Sequence, residues 1–270
     1  LLQSRRDSLE VVAQLKANKI EEFIQQKTCS FYEIRQVESV RKHLLAYQQY
    51  KGAGNTKELA ALQGDFDVDL GPLQEIAAVD GIFLADVTGE IFYQSNPYHR
   101  DENLHADLTL ESAFIESHPE LAEDSVVIAG PIFAKSKELL AIMVFEVGMS
   151  SIYREIGYST GLGETGKTTL GKKIDDRHFI HLTPFIRGQK KSPRLAVTFN
   201  ETEALMPMQE AVLGRSGTGI WKNCEGVDII ASWTHLPKLD LGLVAKLDLD
   251  EAFASIELFK KFTISLIVGI

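Results

Sequence analysis

Residues 161–168 read Gly-Leu-Gly-Glu-Thr-Gly-Lys-Thr and match, letter for letter, the phosphate-binding pattern G-x-x-x-x-G-K-[ST]. In a working phosphate loop, backbone N–H groups cradle the phosphates and the lysine reaches the β- and γ-phosphates. That geometry requires a strand, the loop, then a helix. Here Ile152-Tyr153-Arg154-Glu155-Ile156, before the loop, reads as helix. Thr168-Thr169-Leu170-Gly171, after it, starts a helix poorly, because β-branched residues and glycine disfavour helix. No hydrophobic strand ending in Asp supplies a magnesium ligand. The pattern predicts a tight glycine turn running into a strand. A P-loop nucleotide hydrolase using 161–168 is the competing reading.

Other chemistry is sparse. The seven histidines are scattered, with no metal-ligand pair at helical spacing. His178 and His181 lie three apart on a predicted strand and would face opposite sides. There is no Gly-x-Ser-x-Gly nucleophile elbow. Asp65, Asp67 and Asp69 alternate like half a calcium loop, but the Glu that closes such a loop is missing, so a solvated turn is expected. Two distant cysteines, Cys29 and Cys224, make neither a zinc site nor a disulfide framework, and leave open two free thiols or one disulfide. No catalytic residue, metal or cofactor is predicted.

At 44% hydrophobic and 24% charged residues, the 270-residue chain is globular in composition, with length for one large domain or two ordinary ones. A net charge of −10 opposes binding to nucleic acid or anionic lipid. The chain opens on Leu1, which predicts residues before it. It closes on the apolar run 262–270, too short for the roughly 20 residues of a spanning helix and expected to be the start of one.

Stepwise along the chain, residues 1–54 read as a stalk helix. Leu9, Val12, Leu15, Ile20, Phe23 and Ile24 form one apolar stripe, and Phe31, Ile34, Val37, Val40 and Leu44 another. Thr28-Cys29-Ser30 is the expected weak spot. Unbroken, such a helix is about 70 Å long, which suits a stalk beside two domains. A short helix is expected over 56–63. Strands over 81–85 and 90–95 flank the turn Asp86-Val87-Thr88-Gly89, a helix is expected over 110–116, and strands over 125–133 and 139–147 follow. The order recurs: strands over 168–174 and 178–183, a helix over 201–213 apart from Pro207, strands over 219–222, 227–235 and 241–247. Asp250 would cap a closing helix. Each half is thus a hairpin, a helical crossing and further strands, which gives an antiparallel sheet and an α+β fold.

Gly161-Leu162-Gly163-Glu164-Thr165-Gly166 before a strand resembles the opening of the membrane-proximal half of double Cache (dCache) sensor domains, and Gly242-Leu243-Val244-Ala245-Lys246-Leu247-Asp248 before Glu251-Ala252-Phe253 resembles their closing strand and exit helix. Asp86 to Gly89 with the strand after it, and Ala129-Gly130-Pro131-Ile132-Phe133, resemble the distal half. The resemblance covers nearly the whole chain. It implies a long N-terminal helix followed by two PAS-like units with antiparallel sheets: stalk 1–54, membrane-distal unit 55–150, membrane-proximal unit 151–249, and an exit helix 250–270 leading into the membrane.

The resemblance further implies an extracytoplasmic sensor, periplasmic or extracellular, in an inner-membrane receptor. Such a segment is no enzyme itself. It would bind a small molecule, relay the signal through flanking membrane helices, and work as a homodimer in the full-length receptor. A two-component histidine kinase is the expected output, with a diguanylate cyclase or chemoreceptor as alternatives. A membrane-anchored adhesion protein is a third class, which predicts no ligand pocket. Candidate ligand-binding residues are Tyr93, Tyr98, Arg100, Ser112 and Phe133, with Arg100 suited to clamp a carboxylate. His181, Thr183 and Arg187 would form a second pocket. Amino-acid-binding members carry Tyr, Arg, Trp and Asp in the distal half, whereas both tryptophans here, Trp221 and Trp233, fall in the proximal half.

Overall fold

The computed structural model describes residues 2–95, 114–117, 125–157, 159–182, 196–199, 206–223 and 225–254. The chain forms two compact units, Glu22–Ile152 and Leu1–Glu21 with Tyr153–Ile270. Each is α+β around one antiparallel sheet.

Helix α1 (Leu2–Ile34) contributes to both units. Its buried positions Leu9, Ala13, Lys16, Ala17, Ile20, Ile24, Lys27, Phe31 and Ile34 recur every three or four residues along one face. Leu15, expected in that stripe, is 62% exposed, and Lys16 takes the buried position instead. The buried lysines have acceptors. Lys16 Nζ donates to the carbonyl oxygens of Ile156 and Gly157, and Lys27 Nζ to that of Ala77 at 2.8 Å. These carbonyls end other helices, where orphan acceptors and the dipole favour a cation. Burial, followed by the charge of Lys19, lowers Lys16 to about 8. The helix runs through Thr28-Cys29-Ser30, where the Thr28 hydroxyl donates to the Ile24 carbonyl at 2.9 Å. It breaks instead at 35–37, between Ile34 and helix α2 (Glu38–Gly52), where Val37 turns extended. Cys29 is an exposed free thiol, and Cys224 lies outside the described residues.

In the first unit, helix α3 (Thr56–Ala77) is capped by the Asn55 side chain and runs well past the expected end at residue 63. Leu62, Phe66, Leu70 and Ala77 form its buried row, and tertiary burial outweighs the weak helix formers Gly64 and Pro72. Strands β1 (Gly81–Ala85), β2 (Ile91–Gln94), β3 (Phe114–Ser117), β4 (Ser125–Phe133) and β5 (Leu139–Gly148) pair in the order β2-β1-β5-β4-β3. The stretch 114–117, expected as helix, is edge strand β3, because its backbone completes a ladder with Val126–Ala129 of β4. In the β1–β2 turn, the Asp86 carboxylate accepts from the Thr88 N–H and hydroxyl and from the Glu90 N–H. Lys51 at the end of α2 closes this turn by pairing with Asp86 and Glu90.

Helix α4 (Met149–Ile156) leads into the second unit. Strands β6 (Lys167–Lys173), β7 (His178–Leu182), β8 (Val197–Thr198), β9 (Gly217–Lys222), β10 (Asp228–Leu236) and β11 (Leu241–Asp248) pair in the order β8-β7-β6-β11-β10-β9. Helix α5 (Met206–Val212) accommodates Pro207 in its first turn, where no N–H bond is lost. The buried Tyr153 hydroxyl donates to the Leu182 carbonyl and accepts from the Leu170 N–H, both at 2.9 Å, joining α4 to the sheet. A helical turn over 249–254 follows β11. Among the described residues no helix is long and apolar enough to cross a membrane, and the apolar run 262–270 lies outside them.

Candidate functional site

The glycine loop carries the sharpest chemical signature in the sequence. Gly161 and Gly163 have φ of +79° and +82°, the left-handed conformation that glycine permits. Lys167 then opens strand β6, hydrogen-bonded on both sides to β7 and β11. A phosphate loop needs a helix N-terminus at that point, so these residues do not build one. A protein carboxylate occupies the loop instead. Glu251 Oε1 accepts from the Glu164 N–H and Oε2 from the Thr165 N–H, both at 2.7 Å, and Oε2 also accepts from the Thr165 hydroxyl. Oγ1 of Thr165 in turn accepts from the Asp248 N–H at 3.1 Å. The Thr165 hydroxyl first, then the two N–H groups, hold the Glu251 carboxyl below the usual carboxylate range. Titration calorimetry with ATP and magnesium is therefore expected to show no saturable micromolar binding. Such binding, lost in Lys167→Ala, would restore the nucleotide reading.

The first unit holds a cavity of about 320 Å³ beside edge strand β2, lined by Gln63, Ile91, Phe92, Tyr93 and Gln94. A register shift between Leu84 and Ala85 sets β2 so that Tyr93 pairs with Leu84 and Ile91 with Ala85. The Tyr93 ring packs on Phe66 at 5.3 Å, and Phe92 stacks on Tyr47 at 3.8 Å. The Tyr93 phenol is buried beside the Asp67 carboxylate, and Gln94 Oε1 is buried without a hydrogen-bond partner among the described residues. Burial first, then the charge of Asp67, pushes the Tyr93 phenol up. A buried amide oxygen left open beside a phenol at one cavity suits a ligand that donates to it. On the same sheet, Phe83, Ala85, Val127, Ala129, Ile142 and Val144 form a continuous apolar cluster, with Ile91 against it.

Of the expected ligand-binding residues, Tyr93 lines this cavity. Phe133 ends β4 46% exposed and is not among the lining residues. Tyr98, Arg100 and Ser112 lie outside the described residues, as do Thr183 and Arg187 of the second group. His181 is on β7, with its ring against Phe179 at 5.6 Å, and burial, then the charge of Lys246, lowers it. Sequence reasoning missed Gln63, Phe92 and Gln94 in the cavity and Glu251 in the glycine loop. A Gln on a helix and a Phe-Tyr-Gln strand carry no motif. Among the described residues no group of His, Cys, Asp and Glu converges as a metal site.

Comparison with known proteins yields no matching family model and no matching curated protein. Solved structures do match. The sensory domain of the Campylobacter jejuni chemoreceptor Tlp3 superimposes with a TM-score of 0.57 at 9% identity, over 93% of this chain and 96% of that one. The ligand-binding domain of the Pseudomonas aeruginosa amino-acid chemoreceptor PctB, in complex with L-Arg, gives 0.51 at 13% identity over 92% and 97%. The sensor domain of the Vibrio cholerae histidine kinase DctB gives 0.50 at 14% identity over 87% and 95%. The chain has the double Cache fold. In that fold the glycine loop opens the second sheet with a turn into a strand, and the cavity beside Tyr93 belongs to the first. At these identities the likeness lies in the fold, and the side chains above are this chain's own.

Proposed function

We propose that this chain is the extracytoplasmic ligand-binding sensor of a transmembrane receptor and performs no covalent chemistry itself. The observation that carries this reading is the cavity beside Tyr93, with the open amide oxygen of Gln94, in a chain of double Cache fold. In this reading residues 1–54 are the stalk, 55–150 the membrane-distal unit, 151–249 the membrane-proximal unit, and 250–270 the exit helix that carries the signal into the membrane of a homodimeric receptor. Binding would bias one packing of these helices over another, by no more than the ligand's differential affinity for the two states. The output is a histidine kinase or a chemotaxis signalling domain; sensor domains of both kinds share this fold.

The ligand is a small molecule with a carboxylate, which Arg100 anchors. Solved relatives in complex with L-Arg and with 4-methylisoleucine support a ligand of that size bearing a carboxylate. With a net charge of −10, the field of the protein repels anions, so a local guanidinium is what admits one. The test is a thermal-shift screen of amino acids and small carboxylates on wild type and Arg100→Ala together. Losing a charge-assisted hydrogen bond costs about 1.5–3 kcal/mol, ten- to a hundredfold in affinity. The variant should bind correspondingly more weakly while its ligand-free melting temperature stays within about 1 °C of wild type, as for a surface substitution. Equal shifts in both proteins would reject Arg100 as the anchor, and no shift with any compound would reject the cavity as a binding site.

A further inference from the structure

The glycine loop is an anion site that the chain fills with its own side chain. The Glu164 and Thr165 N–H groups and the Thr165 hydroxyl converge on the Glu251 carboxylate and favour its charged form. A Cβ on Gly163, whose φ is +82°, would fall 2.1 Å from Glu251 Oε1, so the carboxylate lies against bare backbone. Loops that turn successive N–H groups onto one point bind carboxylates and phosphates in general. These hydrogen bonds lie at the surface, where a dissolved anion can compete for them.

A cavity of about 400 Å³ opens beside this carboxylate, wholly inside the second unit. Its first wall is one face of α1, where Arg5, Ser8, Leu9 and Val12 follow at spacings of three, one and three residues. The glycine loop is the second wall. Gly161 brings it against α1, since a Cβ there would lie 3.7 Å from the Val12 methyls, and the Leu162 side chain is buried behind it. Leu247 at the end of β11 and Ala252 in the turn after it form the third wall, next to Glu251 itself. The volume is that of a small-molecule pocket, and such pockets combine an apolar lining with a few polar groups. Here the lining is mostly aliphatic, and its two charged groups are Arg5 and Glu251.

We propose that this cavity is a second binding site, for a small organic carboxylate with a short apolar chain, whose head competes with Glu251 for the glycine-loop donors while its chain lies along Leu9, Val12 and Leu247. Arg5, exposed at the edge, favours the anion that a net charge of −10 otherwise repels. Glu251 then acts as a built-in competitor, and a ligand that displaces it releases the helical turn over 249–254. The binding needs nothing from the receptor reading. Its consequence for signalling rests on that reading, in which this turn begins the exit helix.

The test titrates the whole chain with butyrate, hexanoate and octanoate, against sodium chloride at equal ionic strength and hexanol as the uncharged chain, and follows amide hydrogen exchange. The expected result is a saturable rise in exchange over 249–254, while the Glu164 and Thr165 N–H groups stay protected by the incoming carboxylate. Affinity should grow about threefold to fourfold for each CH2 buried. Glu251→Gln weakens the competitor, so it should tighten octanoate binding by about tenfold, and octanoate should slow Glu164 and Thr165 exchange in that variant. Glu164→Gln removes an exposed charge nearby but keeps the N–H and the competitor, and should change affinity less than about threefold. Ala254→Trp, at an exposed position on the cavity edge, should block binding in a folded protein. Arg100→Ala should leave the response unchanged, so failure here and failure of the Tyr93 cavity are told apart. No saturable response up to about 20 mM octanoate, beyond the weakest useful affinity, would overturn the site. So would a hexanol response equal to that of hexanoate, equal affinity in wild type and Glu251→Gln, or binding that leaves exchange over 249–254 unchanged.

Discussion

Gly163→Ala is expected to lower the melting temperature of the second unit by about 2–8 °C and to release the helical turn over 249–254. A left-handed backbone costs alanine about 1–2 kcal/mol, and 1 kcal/mol is worth about 2–4 °C in a chain of this size. The new Cβ would also fall 2.1 Å from Glu251 Oε1, within contact, so the carboxylate has to leave the loop. Glu251→Gln separates the two effects, since it leaves the glycine backbone untouched while removing the charge and replacing one of the two accepting oxygens with a donor. Because the folded carboxyl is held below its ordinary value, its contribution is complete above the unfolded pKa of about 4.3 and is lost as pH falls through the lowered folded value. The difference in melting temperature between wild type and Glu251→Gln should therefore be constant near neutral pH and close as the solution becomes acidic. Hydrogen exchange at Glu164 and Thr165 is the local readout: these N–H groups should exchange faster in both variants. Unchanged exchange in Glu251→Gln would show that the carboxylate does not hold the loop.

Phe31→Ala is expected to be the most damaging single substitution in the first unit, at about 3–5 kcal/mol, the range for emptying a buried phenylalanine site. Phe31 is fully buried, with its ring edge to face with Phe145 of β5 at 5.2 Å. It also lies under Gly130 of β4, where a Cβ would come within 3.2 Å of it. It thus ties the helix to two central strands. Leu15→Ala is the control. Leu15 projects into solvent, and alanine is the better helix former, so its effect should stay within about 0.5 kcal/mol. Urea denaturation of the two variants measures both. A loss in Leu15→Ala as large as in Phe31→Ala would mean that the stripe runs along the other face of α1.

The contrast between Leu15 and Lys16 shows where sequence reading stops. An apolar stripe is read by residue type, so Leu15 is the natural choice and a lysine is assigned to solvent. The structure buries Lys16 and Lys27 because the open carbonyl ends of other helices lie within reach, and those carbonyls have no signature in the sequence. The length of α3 was hidden for a related reason, since Gly64 and Pro72 lower its intrinsic propensity while Phe66 and Leu70 gain more from burial than propensity costs. The same applies to 114–117, whose pattern reads as helix but whose backbone pairs with β4. At the candidate sites, Tyr93 and His181 were legible as polar aromatic groups near hairpins. The open amide oxygen of Gln94 was not.

Features that depend on near neighbours are legible along the chain. Asp86 and Gly89 specify a tight turn through their own side chain and backbone, whatever surrounds them. Glycines at 161, 163 and 166 followed by β-branched residues specify a loop running into a strand. The repeated hairpin, helix and strand order specifies two antiparallel α+β units, and with the loop motif it resembles double Cache domains. Which distant groups meet is set by folding alone. Thr165 and Glu251 are 86 positions apart, and their hydrogen bond exists because β11 closes on β6 and delivers the next helical turn to the glycine loop. Lys167 faces Lys246, and Trp221 leans over Gly219, for the same reason: cross-strand register is set by the packing of a whole sheet face, and a shift of one residue would turn every one of these side chains to the opposite side.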